Sequence, residues 1–164
     1  MEIERKFLVR EIPATAMGTE ARAISQGYLA TGPDAEVRLR RIDEACVLTV
    51  KGQGGLARVE EEFPIGSRSF DALWPLTAKR RIEKVRRRIP FGNDVIELDH
   101  FGGRLAGLMI AEVEFTSTEA AAAFEPPDWF GPEVTADHRY KNAWLARHGR
   151  PDEPEAGRFP GPSG

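Results

Sequence analysis

Side chains along a β-strand point alternately to its two faces, and this chain begins with that alternation inverted. In Glu2-Ile3-Glu4-Arg5-Lys6-Phe7-Leu8-Val9, the residues Glu2, Glu4 and Lys6 share one face, while Ile3, Phe7 and Val9 share the other. Arg5 is the one interruption. The apolar face needs a cover, most simply an outer helix, which turns the charged face toward whatever the sheet encloses. In a dry interior each unpaired charge would cost several kcal/mol. A wet cavity that holds ions avoids that cost.

The inversion recurs. Glu36, Arg38 and Arg40 alternate with Val37 and Leu39 until Arg41 breaks the pattern, and Arg58, Glu60 and Glu62 alternate with Val59 and Phe63. The basic run 79–89 puts Ile82, Lys84, Arg86 and Arg88 on one parity. Glu97 and Asp99 alternate with Ile96 and Leu98, and Glu112 and Glu114 with Ala111, Val113 and Phe115. Turn signals at Gly32-Pro33-Asp34, Asp43-Glu44, Gly52 to Gly55 and Gly92-Asn93-Asp94 separate the runs. Eight strands are predicted, at about 2–9, 23–30, 36–42, 45–51, 57–65, 79–89, 95–101 and 108–115. Short helices are expected over Pro13 to Arg22, Ser67 to Leu76, Thr116 to Phe124 and Arg139 to His148. The strand count and the lining of both signs fit an α+β fold built on a closed antiparallel β-barrel, whose closure removes exposed edges.

Composition sets outer bounds. The chain of 164 residues fits one domain, over 1–148, followed by a Pro/Gly-rich tail, 149–164, expected to be disordered. A net charge of -3 gives no whole-molecule field that would recruit an anion or a membrane. Cys46 is the only cysteine, which excludes an internal disulfide and a cysteine-based metal site. His100, His138 and His148 lack ligand spacing. With no apolar leader and no run long enough to span a bilayer, the chain reads as cytoplasmic.

Residues two apart on a strand are roughly 6.6 Å apart and face the same way, so a Glu-x-Glu pair can converge on one divalent ion. Four acidic pairs have this spacing: Glu2/Glu4, Glu60/Glu62, Glu97/Asp99 and Glu112/Glu114. Oxygen-only donors favour Mg2+ or Mn2+ over zinc. Against them stand Lys6, Arg38, Arg40, Lys51, Lys84 and Arg86, and arginine forks match phosphate oxygens. Carboxylates for a cation and bases for an anion together suit a metal-bound polyphosphate.

These residues resemble the CYTH superfamily of triphosphate tunnel metalloenzymes, whose Glu-x-Glu-x-Lys signature stands here as Glu2-Ile3-Glu4-Arg5-Lys6. The likeness continues through Arg38-x-Arg40, Lys51, Glu60-x-Glu62, Lys84-x-Arg86, Glu97-x-Asp99 and Glu112-x-Glu114. It extends into Glu133-Val134-Thr135-x-Asp137-x-Arg139-Tyr140-x-Asn142, like the ending of small bacterial tripolyphosphatases. The resemblance implies an eight-stranded barrel forming a tunnel, with helices outside. It implies metal-dependent hydrolysis of a phosphoanhydride bond in inorganic tripolyphosphate or a related small triphosphate. By motif position, Glu2, Glu4 and Glu114 would bind the metal, with Glu112, Glu60 and Glu62 for a second ion or its waters. Lys6, Arg38, Arg40, Lys51, Lys84 and Arg86 would clamp the phosphates. A Lys/Tyr pair implicated in hydrolysis in such enzymes is matched by Lys6 and Tyr28, and Tyr28 shares its parity with Gln26.

Two other readings compete. A class IV adenylate cyclase is the second enzyme class, but the His-Phe motif described upstream of the signature in those enzymes has no counterpart before Glu2. A non-catalytic polyphosphate or RNA binder would use Lys79, Arg80, Arg81, Lys84, Arg86, Arg87 and Arg88. Strand parity splits these bases between two faces, and the net acidity argues against a dedicated nucleic-acid binder. Some relatives look dimeric, and a homodimer is compatible with the chain, although no apolar face in the sequence demands one.

Overall fold

The computed structural model describes residues 3–53 and 59–152. Glu2, Arg58 and residues 153–164 of the expected tail lie outside these residues. Nine antiparallel strands form one sheet in the order β5-β4-β3-β2-β6-β7-β8-β1-β9. They are β1 (Ile3–Val9), β2 (Ala21–Thr31), β3 (Ala35–Ile42), β4 (Ala45–Gly52), β5 (Glu60–Ile65), β6 (Arg81–Phe91), β7 (Asp94–Phe101), β8 (Met109–Phe115) and β9 (Phe130–Glu133). Three helices, α1 (Ser67–Leu73), α2 (Thr118–Ala123) and α3 (Asn142–His148), complete an α+β architecture. The eight expected strands are all present. The ninth, β9, pairs with the edge of β1 that a closing strand would need. Among the described residues the order therefore ends at β5 and β9, and no hydrogen-bonded ladder joins these two strands.

Two local expectations change. The segment expected as a helix over Pro13 to Arg22 forms only a single 3-10 turn, Ala14–Ala16, and β2 begins already at Ala21. Pairing of Ala21 through Gly27 with β6 outweighs the helical propensity of that stretch. Strand β9 contains Gly131 and Pro132, which weaken a strand signal. A Cβ at Gly131 would lie 2.8 Å from the Leu8 carbonyl oxygen, so the close approach of β9 to β1 needs glycine.

The apolar sides of the strands are covered as their inversion requires. Phe7, Val9, Ile89, Ile96, Leu98, Val113 and Phe115 bury against α2 and its flanks. Phe124 is the hub there, with ring centroids 5.3 Å from Phe115, 5.9 Å from Phe91 and 6.2 Å from Phe130. Such aromatic pairs add about 0.5–1.5 kcal/mol each beyond area burial. A second cover, α1 and the 3-10 turn after it (Trp74–Thr77), packs Phe70, Leu73 and Trp74 on Leu39, Cys46 and Leu48. At Gly27 an added Cβ would lie 2.6 Å from Thr77 Oγ1, so this strand position must stay bare for the turn after α1 to pack.

The arginines that interrupt the alternation lie on this covered side and fasten the covers. Arg5 donates to both carboxylate oxygens of Glu133 (2.8 and 2.9 Å) and to the carbonyls of Ala121 and Phe124 at the end of α2. Arg41 lies 4.6 Å over the Phe70 ring and 3.3 Å from Asp71.

Candidate active site on the charged face

The ladder registers put the charged residues in rows across one face. Glu4 faces Glu114 and Lys6 faces Glu112, Glu112 faces Glu97, and Asp99 faces Arg86. Gln26 faces Arg40 and Tyr28 faces Arg38, while Arg38 faces Thr49 and Glu36 faces Lys51. Glu62 and Glu60 continue the last two rows onto β5. All six predicted bases thus share a face with all the predicted acids in the described residues. One end of that face is apolar: Leu8, Tyr28, Ile82, Phe101 and Ile110 pack with Leu145 and Ala146, so α3 caps the charged face at that end.

The carboxylate region lies on β1 and β8. Lys6 Nζ is 3.3 Å from Glu4 and 3.8 Å from Glu112. Burial, together with the hydrogen bond and charge of Glu112, holds the Glu4 carboxyl up at about 7. Two carboxyl groups sharing a proton are a site where a divalent cation can replace that proton, and the donors are all oxygen. In this respect Glu4, Glu112 and the adjacent, exposed Glu114 fit a hard cation. Among the described residues no three His, Cys, Asp or Glu side chains gather tightly enough to form a complete cation site. Glu2 is outside the described residues.

Glu60 and Glu62 are at the opposite end of the strand order, where Glu60 meets Lys51 (3.7 Å) and Glu62 meets Arg38 (3.9 Å) and Thr49 (3.5 Å). Their contacts are with bases rather than with Glu4 or Glu112.

On β6 and β7, Glu97 and Asp99, the pair spaced for a cation in the sequence, contact bases. Arg86 makes a two-pronged bond to Asp99 (2.6 and 2.8 Å) and a third to Glu97 (2.8 Å), and Lys84 Nζ lies 2.8 Å from Asp99. Lys84 has 0% of its side chain exposed and Asp99 has 6%. Burial alone would raise the Asp99 carboxyl, but Lys84 and the Arg86 fork outweigh it and hold it at about 2. Burial pulls Lys84 down, with Asp99 opposing.

On β2 and β3, no carboxylate among the described residues comes within hydrogen-bond distance of Arg38 or Arg40, Glu62 standing 3.9 Å from Arg38. Arg38 is buried, donates to Thr49 at 3.3 Å, and its Nε has no hydrogen-bond partner. Arg40 donates from Nε to Gln26 Oε1 (3.0 Å). Burial, then Arg38 and Arg86, push Arg40 down to about 10. Gln26 Nε2 in turn donates to Tyr28 Oη (2.7 Å), and burial pushes Tyr28 up to about 12. Tyr28 and Lys6 share the face but have different partners. Gln26 and Thr49, both fully buried, are polar members of this face that charge alternation does not reveal.

Comparison with known proteins places the chain in a family. The CYTH domain model matches residues 1–128. An inorganic triphosphatase of Nitrosomonas europaea is 49% identical over 148 residues, spanning 88% of this chain and 96% of that protein. One from Acetivibrio thermocellus is 39% identical, spanning 90% and 94%. A crystal structure of an inorganic triphosphatase superposes with a TM-score of 0.75 at 45% identity, covering 90% of this chain and 95% of the other. A Hippeastrum protein at 16% identity shares the fold alone, with a TM-score of 0.55 over 74% of this chain and 83% of the other. With its signature strand, its paired carboxylates and its row of bases on one face of an antiparallel sheet, the chain belongs to the CYTH domain family.

Proposed function

We propose that this chain is a divalent-cation-dependent hydrolase of phosphoanhydride bonds, acting on inorganic tripolyphosphate or a related small triphosphate. The observation that carries this reading is the charged face itself. Six bases from β1, β3, β4 and β6 stand on it beside an oxygen-only carboxylate group. The relatives named inorganic triphosphatase match nearly their whole length to this chain, which supports extending that activity to it. The finer picture is a tunnel, formed as the charged face curls on itself with α3 across one end.

In this reading Glu4, Glu112 and Glu114, with Glu2, hold Mg2+ or Mn2+, while Glu60 and Glu62 serve a second ion or its waters. The bound cation supplies charge neutralisation for the phosphates and a polarised water. The chain's own residues do the rest. Arg38, Arg40 and Lys51 bind phosphate oxygens, and Lys84 and Arg86 set the positive wall opposite, held in place by Asp99 and Glu97. Lys6, joined to Glu4 and Glu112, brings a positive charge to the carboxylate end, where charge shifts as the bond breaks. In phosphoryl transfer, positioning and electrostatic stabilisation carry most of the rate enhancement. Tyr28 acts from within the arginine group. The protein works as a cytoplasmic enzyme, alone or as a homodimer.

The test is orthophosphate release from tripolyphosphate, ATP and thiamine triphosphate, each with Mg2+, Mn2+ or EDTA. Turnover of tripolyphosphate that stops in EDTA is expected. Cyclic AMP from ATP without orthophosphate release would move the assignment to a cyclase.

A further inference from the structure

Gln26 is 0% exposed and lies between Arg40 and Tyr28 on the charged face. A guanidinium can only donate, so the contact at 3.0 Å from Arg40 Nε must end on the Gln26 carbonyl oxygen. That fixes the orientation of the amide. Its nitrogen then faces Tyr28, and the contact of 2.7 Å makes the tyrosine oxygen an acceptor. The hydroxyl proton of Tyr28 is left for another partner, and its cross-strand neighbour Arg38, a donor itself, cannot take it. Among the described residues Tyr28 Oη donates no hydrogen bond, and the Glu36 carboxylate acts on it through charge alone. Arg38 Nε is buried without a partner in the same region. Donors without an acceptor, grouped in a buried and positive site, are matched by an anion with several acceptor oxygens.

We propose that Gln26 is a positioning residue that orients Arg40 and Tyr28 toward one phosphate group of the substrate, where Tyr28 serves as a neutral hydrogen-bond donor rather than as a base. This rests on the charged face being the triphosphate site. Burial agrees with the role, since it pushes Tyr28 up to about 12 and keeps the phenol protonated at working pH. Lys6 has its own partners in Glu4 and Glu112 and leaves the tyrosine to Gln26.

The experiment measures kcat and KM for tripolyphosphate with Mg2+ in wild type, Gln26→Met, Tyr28→Phe and the double variant, with circular dichroism to check folding. Tyr28→Phe is expected to lower kcat about tenfold with little change in KM, the loss of one hydrogen bond to a charged group. Gln26→Met is expected to lower kcat by the same factor and also to raise KM about tenfold, because Arg40 loses its anchor. The double variant should have the kcat of Gln26→Met alone. A mere loss of folded enzyme would lower apparent kcat and leave KM in place.

Multiplying kcat losses in the double variant, an unchanged KM in Gln26→Met, or wild-type kinetics in Tyr28→Phe would each overturn the proposal. If Gln26→Met does not fold, Gln26→Glu keeps an acceptor for Arg40 but reverses the bond to Tyr28. Its kcat loss should then disappear on the Tyr28→Phe background, and persistence there would count against the proposal. Wild-type enzyme that turns over tripolyphosphate beside unaffected variants would remove this inference alone. Wild-type enzyme inactive on every triphosphate would remove the functional reading beneath it.

Discussion

The bases of the β6–β7 ladder and those of the β2–β3 ladder stand on one face yet differ in how their charge is met. Lys84 and Arg86 are closed off by Asp99 and Glu97 at 2.6–2.8 Å. Arg38 is buried and Arg40 half-buried, but their hydrogen-bond partners are a threonine at 3.3 Å and a glutamine at 3.0 Å, and the one carboxylate paired with them among the described residues, the exposed Glu62, stands 3.9 Å from Arg38. The first pair is neutralised by the fold. In the proposed function a ligand neutralises the second, and that contrast separates the scaffold of the site from the part assigned to binding.

The largest effect expected from this contrast is on stability. Asp99→Asn would leave the buried Lys84 without its carboxylate and Arg86 with Glu97 alone, and should cost about 3–5 kcal/mol, read from urea unfolding. By contrast, Arg38→Met should leave stability within about 1 kcal/mol while raising KM for tripolyphosphate tenfold or more, in line with a charged hydrogen bond worth about 1.5–3 kcal/mol. Equal stability losses in the two variants would erase the distinction. A smaller effect follows from acid. Asp99 titrates lower in the folded chain, at about 2, than its ordinary 3.8. A depressed carboxyl stabilises the fold above its unfolded value and loses that contribution as pH falls through the folded one. Wild type should therefore lose on the order of 2 kcal/mol between about pH 4 and pH 2, a component absent from Asp99→Asn. The smallest effect belongs to the covered face: Arg5→Lys loses the fork to Glu133 and should cost about 1–2 kcal/mol of stability, with KM unchanged.

Much of this was readable because the strands alternate. The parity of Glu4, Lys6, Arg38, Arg40, Lys84, Arg86, Glu112 and Glu114 needs only a period of two, and the registers put them on the expected face. What parity cannot give is the partner across the ladder. Glu97 and Asp99 are spaced like cation ligands, and only β6 beside β7 shows that Arg86 and Lys84 bond to them. The ninth strand escaped for a similar reason. Phe130-Gly131-Pro132-Glu133 has no alternation, and its place is fixed by distant groups: the Val134 N–H bond to the Lys6 carbonyl and the fork from Arg5 to Glu133. Arg5 and Arg41, which look like errors in the pattern, are legible only once α2 and α1 are packed against them. Gln26 carries no charge to mark it, although it lies at the junction of the arginine group.

The most direct measurement is tripolyphosphate turnover by wild type and by Glu4→Gln, each titrated with Mg2+ and then treated with EDTA. The account predicts Mg2+-dependent turnover by wild type that EDTA abolishes, and a loss of at least about a hundredfold in folded Glu4→Gln, as for removal of a group that stabilises transition-state charge. Turnover by folded Glu4→Gln at the wild-type rate, or wild-type turnover indifferent to EDTA, would contradict it.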